Sequence, residues 1–438
     1  MMIEFDAVPN GEPRPTVHAH ATAVRRLRGR ARRFTALLAF GYAASLSACD
    51  SLLEVDIPGR VEESALNDPA LATTLLNSAL GQFECAFANY VATVGVLTEE
   101  YIVSSFFLNA NIWGWRGIEV NSAEGGCPGR NASDFGAYTP LQQARFLADD
   151  AARRIEGFPD AAVPTKTDML AHLRAYGGYA YALLGEGFCE MAIDQGPLMT
   201  RAQVLEIAEQ RFTEAIALAQ SANNTSLRNM ALVGRARVRL DLGRGDEAAA
   251  DAAQVPQDFV RNAQYSEVQQ RRENRVYNVT RRNSFLSVAP AYRNLTIGGV
   301  ADTRVPVADA NRAGQDGVTP QWNQMKYNTG TAPIPIASWV EAQLIIAEAR
   351  GGQDAVDAIN RLRVKHDLPQ ITGGVPPDIA QVVIEERRRQ LFTEGHRLGD
   401  MLRHNIAFPT GTNHKGQTYG PITCLPLPEQ ERLNNPNL

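Results

Sequence analysis

The chain of 438 residues is long enough for a large buried core, and 44% hydrophobic with 21% charged residues is ordinary globular composition. A net charge of −5 with a pI near 5.9 offers no chain-wide basic surface of the kind that nucleic-acid binding requires, so nucleic acid is excluded as a partner. Only Lys166, Lys326, Lys365 and Lys415 are lysines, so arginine clusters reflect a bias of the whole chain.

Residues 1–48 read as an export signal. Six arginines stand between Arg25 and Arg33, and Phe34 to Ala48 then runs without a charge. A cationic stretch ahead of an apolar one is the signature of a secretory leader, and about fifteen apolar residues are too few to span a bilayer as a helix. The run ends in Leu46-Ser47-Ala48-Cys49, which resembles the lipobox of bacterial lipoproteins. The small side chains admit a signal peptidase, and the Cys49 thiol is the nucleophile that accepts a diacylglycerol. The expected mature protein begins at Cys49, lipid-anchored to the outer membrane and facing outward, its two or more acyl chains giving stable attachment. Export would place Cys85, Cys127, Cys189 and Cys424 in an oxidising compartment. Four cysteines permit three pairings; the local pair Cys85–Cys127, with Cys189 joined to Cys424, is favoured.

Asn67-Asp68-Pro69 predicts a capped helix start, with apolar periodicity from Ala70 to Ala88 and a second helix over about Val91 to Phe107. Residues 108–138 have no period and read as a long loop. Trp113 and Trp115 stand two apart in it, where an extended backbone would turn both rings to one side. Sugar rings present C–H faces that stack on exposed aromatics, so these two are candidate ligand contacts; packing of both rings against the helical body is the competing reading. Helices are then expected in pairs, at about 141–156 with 168–185 and 203–220 with 227–241, then 244–253, and later 338–350 with 353–366. Small residues at helix contacts, Gly243 and Gly351-Gly352 at the breaks, and Pro256 and Pro369 after the units give a rhythm similar to tetratricopeptide repeats. Residues 257–336 form a second irregular insertion with short strands, where Trp322 and Tyr327 are further candidate ligand contacts. Asp302, Asp309 and Asp316 leave structural calcium open as a bound ion.

Over 378–403 a single helix is expected. At 100° per residue, Ile379, Val382, Val383, Glu386, Gln390, Glu394 and Arg397 share a side, so charges lie on its apolar face. Buried charges persist when paired, which predicts an internal ion network of Glu386 and Glu394 with Arg397 and other arginines. The two carboxylates would stand about 12 Å apart along the axis at the 1.5 Å rise, beyond the roughly 5–9.5 Å of glycosidase pairs. No nucleophile elbow, P-loop, metalloprotease or dinucleotide motif occurs after residue 48, and His172, His366, His396, His404 and His414 lack ligand spacing, so neither an enzyme nor a metal centre is expected.

Three stretches carry a family resemblance: Ala342 to Pro369, Val383 to Arg403, and the closing Leu425 to Leu438 with its Pro-x-Pro and final Asn-Pro-Asn. Together with Cys49-Asp50 and Leu53 to Pro58, they are similar to the RagB/SusD nutrient-uptake lipoproteins. The resemblance implies a mostly α, SusD-like fold of paired tetratricopeptide-like helices with loop-rich insertions, one domain over 49–438 with an N-terminal part to about 220 and a C-terminal part from about 221. It also implies a surface lipoprotein that binds oligosaccharides or other nutrients, requires no cofactor, and lids a SusC-like TonB-dependent barrel through its repeat helices. The sequence departs from starch-binding members in having only 7% aromatic residues. A surface hydrolase and a protein-binding repeat scaffold are the alternative readings.

Overall fold

The computed structural model describes residues 63–120, 124–127 and 135–438. The export leader and Cys49 lie outside the described residues.

Asp68 accepts a hydrogen bond from the Ala70 amide at 2.9 Å, and Pro69 opens a 3-10 turn, Pro69–Leu71, that leads into the long helix α1, Ala72–Leu97. One continuous helix therefore replaces the two expected over 70–107. From Gln82 onward every residue of α1 except Cys85 is buried, because later elements cover it on all sides. The chain leaves it as a strand, β1 (Tyr101–Val103), and a short helix, α2 (Leu108–Gly114), inside the stretch read as a loop.

The paired helices follow as α3 (Tyr138–Gly157), α4 (Lys166–Gly187), α5 (Arg201–Ser221), α6 (Thr225–Asp241) and α7 (Gly245–Ala252). Their starts are chemically specified. Thr200 and Gln203 form a reciprocal capping box at α5, and Asn224 accepts from the Leu227 amide at 3.0 Å at α6. Neighbours in the series pack against each other, α1 on α3, α3 on α4, and so on to α7. Between α4, α5 and α6 the Phe212 ring is wedged against two glycines. A Cβ at Gly178 would fall 2.8 Å from it and one at Gly234 only 2.4 Å.

The second insertion is built from short antiparallel strand pairs, some local and some joining distant parts of the chain. Strand β4 (Val260–Ala263) pairs with β10 (Ile334–Ser338), β5 (Leu286–Val288) with β1, and β8 (Val307–Ala313) with β9 (Pro320–Gln324), all antiparallel. Two-residue pairs, β2 (Glu190–Met191) with β3 (Met199–Thr200) and β6 (Thr296–Ile297) with β7 (Val300–Ala301), complete the strands among the described residues. The repeat then resumes with α8 (Trp339–Arg350) and α9 (Gly352–Val364), separated by Gly351 at φ +63°, a left-handed conformation that favours glycine.

The helix expected over 378–403 is broken. Helix α10 (Ile379–Gln390) ends in a turn with Thr393 and Gly395 at positive φ, and α11 (Arg397–Arg403) starts in a new direction. The final helix is α12 (Glu429–Asn434). Two disulfides are formed, Cys85–Cys127 and Cys189–Cys424, the latter across 235 positions of sequence. No described helix is long and apolar enough to cross a membrane.

Candidate functional site

Of the charged residues of the C-terminal signature, Glu386, Arg387, Glu394 and Asp400 are buried. Glu386 receives Arg363 Nε at 3.0 Å and also pairs with Arg304, which in turn grips Asp302 through Nε and Nη2 at 2.8 Å each. Glu394 instead meets Lys326 at 2.5 Å, because the turn at 391–395 takes it off the α10 face. Arg397 joins neither: after the break it sits on another helix, and its buried Nε and Nη1 have no hydrogen-bond partner among the described residues. The expected trio is thus two separate clusters without Arg397. Next to them Arg387 binds Asp400 at 2.7 Å, and Arg403 binds Glu348 at 2.6 Å and Asp241 at 2.5 Å. Every carboxylate in this group is occupied by a cation, which suits structure rather than acid–base chemistry.

The four aromatics proposed as ligand contacts are scattered. Trp113 is 0% exposed, packed near Phe135, because the segment is helical and its side chain turns inward. Trp115, two residues on, caps α2 on a different side and is half-buried beside Gly117. Tyr327 is 2% exposed, its hydroxyl donating to the Thr393 carbonyl at 3.2 Å. Trp113 and Tyr327 therefore offer no face to a ligand. Trp322 is half-buried in β9, and the Arg293 guanidinium lies 4.9 Å from its ring centre.

The residues that do surround a cavity are others. A cleft of about 750 Å³, within the range of small-ligand sites, opens between the chain after β1, the start of α2, the β8–β9 turn and the tail around His414. Phe106, at 66% exposure, Leu108, at 68%, and Val318, at 77%, form apolar lips. Phe106 leans on Phe107 with ring centres 4.8 Å apart, and Phe107 meets Phe285 edge-on at 5.5 Å, so the exposed ring is backed by a fixed stack.

The floor is polar and rigidly bonded. The Asp316 amide donates to the Ser104 carbonyl at 2.9 Å, Ser105 Oγ to Gln315 at 2.7 Å, and Asn111 Nδ2 to the Ser105 carbonyl at 2.8 Å. Gly314 permits this closeness, since a Cβ there would come within 2.4 Å of Ser104 Cβ. Lys415 Nζ donates to the Ser105 carbonyl at 2.6 Å and pairs with Asp316 at 2.8 Å, and His414 Nε2 lies 2.8 Å from the Val103 carbonyl. Burial works to raise the Asp316 carboxyl, but Lys415 and the Thr319 and Val318 amides outweigh it and hold the group well below the usual carboxylate range. Burial lowers His414 against the opposing Val103 bond, which keeps the ring neutral at physiological pH.

Of the three aspartates left open to calcium, Asp302 is held by Arg304 and Arg389, Asp316 is bound as described, and Asp309 accepts from the Asn311 amide at 2.8 Å. No group of three or more acidic, histidine or cysteine ligands is assembled among the described residues.

Phe106, Phe107 and Leu108 were legible as three consecutive apolar residues after Ser104-Ser105, a run that fits no helical period. The expected second helix over about Val91 to Phe107 places Phe106 and Phe107 at its end and Leu108 in the loop that follows, which divides the platform between two elements.

No family model matches the chain. A SusD-like protein of Formosa agariphila is 28% identical over 125 residues, which span 24% of this chain and 23% of that relative. Among solved structures, a SusD-like carbohydrate binding protein from Bacteroides vulgatus superposes with a TM-score of 0.65 at 13% identity, covering 85% of this chain and 97% of its own. A SusD superfamily protein from Parabacteroides distasonis gives 0.64 at 14%, covering 86% and 99%. A surface glycan-binding protein A from Bacteroides uniformis gives 0.63 at 12%, covering 85% and 99%. Paired helices, short hairpins and C-terminal ion network thus stand in a known architecture, and the chain has the SusD-like fold to which its RagB/SusD-like motifs pointed.

Proposed function

We infer that the protein is a cell-surface binding subunit that holds an oligosaccharide in the cleft at Phe106 and passes it to a TonB-dependent outer-membrane transporter. The carrying observation is the exposed Phe106–Leu108 platform over a preformed, hydrogen-bonded floor. An amphipathic ligand with apolar ring faces and hydroxyl edges matches both surfaces. Two of the structural relatives bear names that refer to carbohydrate or glycan binding, which supports the same ligand class. Anchoring through Cys49 and docking of the repeat helices on the barrel follow the RagB/SusD resemblance.

The cleft favours binding without turnover. Its wall carries one carboxylate, Asp316, already engaged by Lys415, whereas glycoside hydrolysis uses two carboxyl groups flanking the bond. Calorimetric titration of the purified protein with oligosaccharides, accompanied by product analysis, tests the reading. Binding without product, weakened roughly tenfold in Phe106→Ala while the melting temperature is unchanged, is the expected result. Product release at enzymatic rates, or affinity indifferent to the Phe106 ring, would overturn it.

A further inference from the structure

The charges of the cleft wall do not balance, and the imbalance selects a ligand class. Lys415 is paired with Asp316 at 2.8 Å, and burial disfavours a charge on His414. Arg293 is left over: it lines the cleft, and no carboxylate of the described residues comes within 4.0 Å of it. By contrast, Arg388 and Arg389, on the neighbouring helix α10, both bind Glu385 at 2.6 Å.

Arg293 is also held in place. Its Nε donates to the Val288 carbonyl at 2.8 Å, and its guanidinium lies over the half-buried Trp322 ring, whose own backbone amide is fixed by Ser287 Oγ at 2.8 Å. These contacts use Nε and one face of the guanidinium. The two terminal nitrogens make no hydrogen bond to the described protein. Burial acts against its charge with only Asp309 opposing, so an anion arriving from solvent would relieve an uncompensated cation. A planar two-nitrogen fork matches two oxygens of one carboxylate or sulfate, and such charge-assisted pairs are about twice as strong as neutral hydrogen bonds.

We propose that the ligand of this cleft is an acidic oligosaccharide, and that Arg293, positioned by Trp322, binds its carboxylate or sulfate group. This inference rests on the glycan reading of the cleft. Trp322 then serves as the platform beneath the arginine rather than as a sugar-stacking ring.

The test is titration of the full chain with a neutral hexasaccharide, an oligogalacturonate and a sulfated oligosaccharide of similar length, at about 50 and about 500 mM NaCl. At least one acidic probe is expected to bind roughly tenfold tighter than the neutral one, with the advantage shrinking at high salt. Which acidic probe wins assigns uronate or sulfate. Arg293→Gln should reduce the acidic probe to the neutral level, Arg293→Lys should restore part of the preference, and Trp322→Leu should weaken the acidic probe while its salt dependence persists. Thermal melts of each variant separate these effects from misfolding. Equal affinity for neutral and acidic probes, unaltered by Arg293→Gln, sinks the acidic assignment and leaves the cleft intact. Failure of every probe to bind, or binding that Phe106→Ala leaves unaltered, sinks the cleft reading and this one together.

Discussion

A few side chains carry charge states that only their surroundings explain. Glu186 on α4 is buried, and one of its carboxylate oxygens lacks a hydrogen-bond partner. Burial pushes its carboxyl up to about 8, with Arg237 only partly opposing. A folded value above the unfolded one means that the folded chain keeps a proton that the unfolded chain releases. The stabilising contribution is therefore full below the unfolded value and is lost as pH rises through the folded value. Glu186→Gln, which imitates the protonated form, should show a melting temperature that gains on wild type as pH rises from about 5 to about 8.5. Melting curves that stay parallel across that range would show that Glu186 is ionised in the fold. Glu100, pushed by burial up to about 7, adds to the same trend.

Between elements, the ion network decides how the C-terminal helices meet the repeat. Arg387 on α10 reaches Asp400 on α11 at 2.7 Å and Glu348 on α8 at 3.2 Å, and Arg403 on α11 reaches Asp241 on α6. Four helices are joined by these groups, of which Arg387 and Asp400 are buried and Glu348, Asp241 and Arg403 partly buried. Removing one member of a buried pair costs about 3–5 kcal/mol because the other is left uncompensated, while replacing both by apolar residues costs far less. Arg387→Met is therefore expected to lower the unfolding free energy by about that amount, and Arg387→Met/Asp400→Leu to recover part of the loss. Urea unfolding of both proteins checks this; a double variant less stable than the single one would show that the charges hold the helices in register. The tetratricopeptide-like rhythm was legible because glycine breaks act locally, as at Gly243 and Gly351, both at positive φ. The break after Gln390 was not, since the helical spacing of Glu386, Gln390, Glu394 and Arg397 runs on through it and outweighed the single glycine, Gly395, at the turn.

Across the whole molecule, the tail from His404 to Pro428 has no regular structure beyond isolated bridges, yet it supplies one wall of the cleft. It is held by Cys189–Cys424 and by backbone bonds on either side, Leu425 N to the Gly187 carbonyl at 2.8 Å and Cys189 N to the Leu425 carbonyl at 3.0 Å. A link across so long a loop restricts the unfolded chain strongly, and loss of a native disulfide typically costs about 2–5 kcal/mol. The Cys189→Ala/Cys424→Ala protein should unfold at correspondingly lower urea concentration and bind ligand more weakly, because His414 and Lys415 lose their tether. Unchanged stability together with unchanged affinity would refute this role for the bond.

Fold class, helix pairing and the buried character of the 383–403 charges follow from local spacing, capping and the cost of an unpaired charge, all of which operate over a few residues and can be read along the chain. The cleft could not be read that way. It joins residues near 105, 293, 316 and 415, brought together by the long-range pairing of β1 with β5, the β8–β9 hairpin and a disulfide across 235 positions of sequence. Whether an aromatic lies inside or outside is likewise a tertiary outcome: Trp113 and Phe106 are seven residues apart and similarly apolar, but helix α2 turns one into the core and leaves the other at the lip. Burial depends on what packs against a side chain, and that partner lies elsewhere in the sequence.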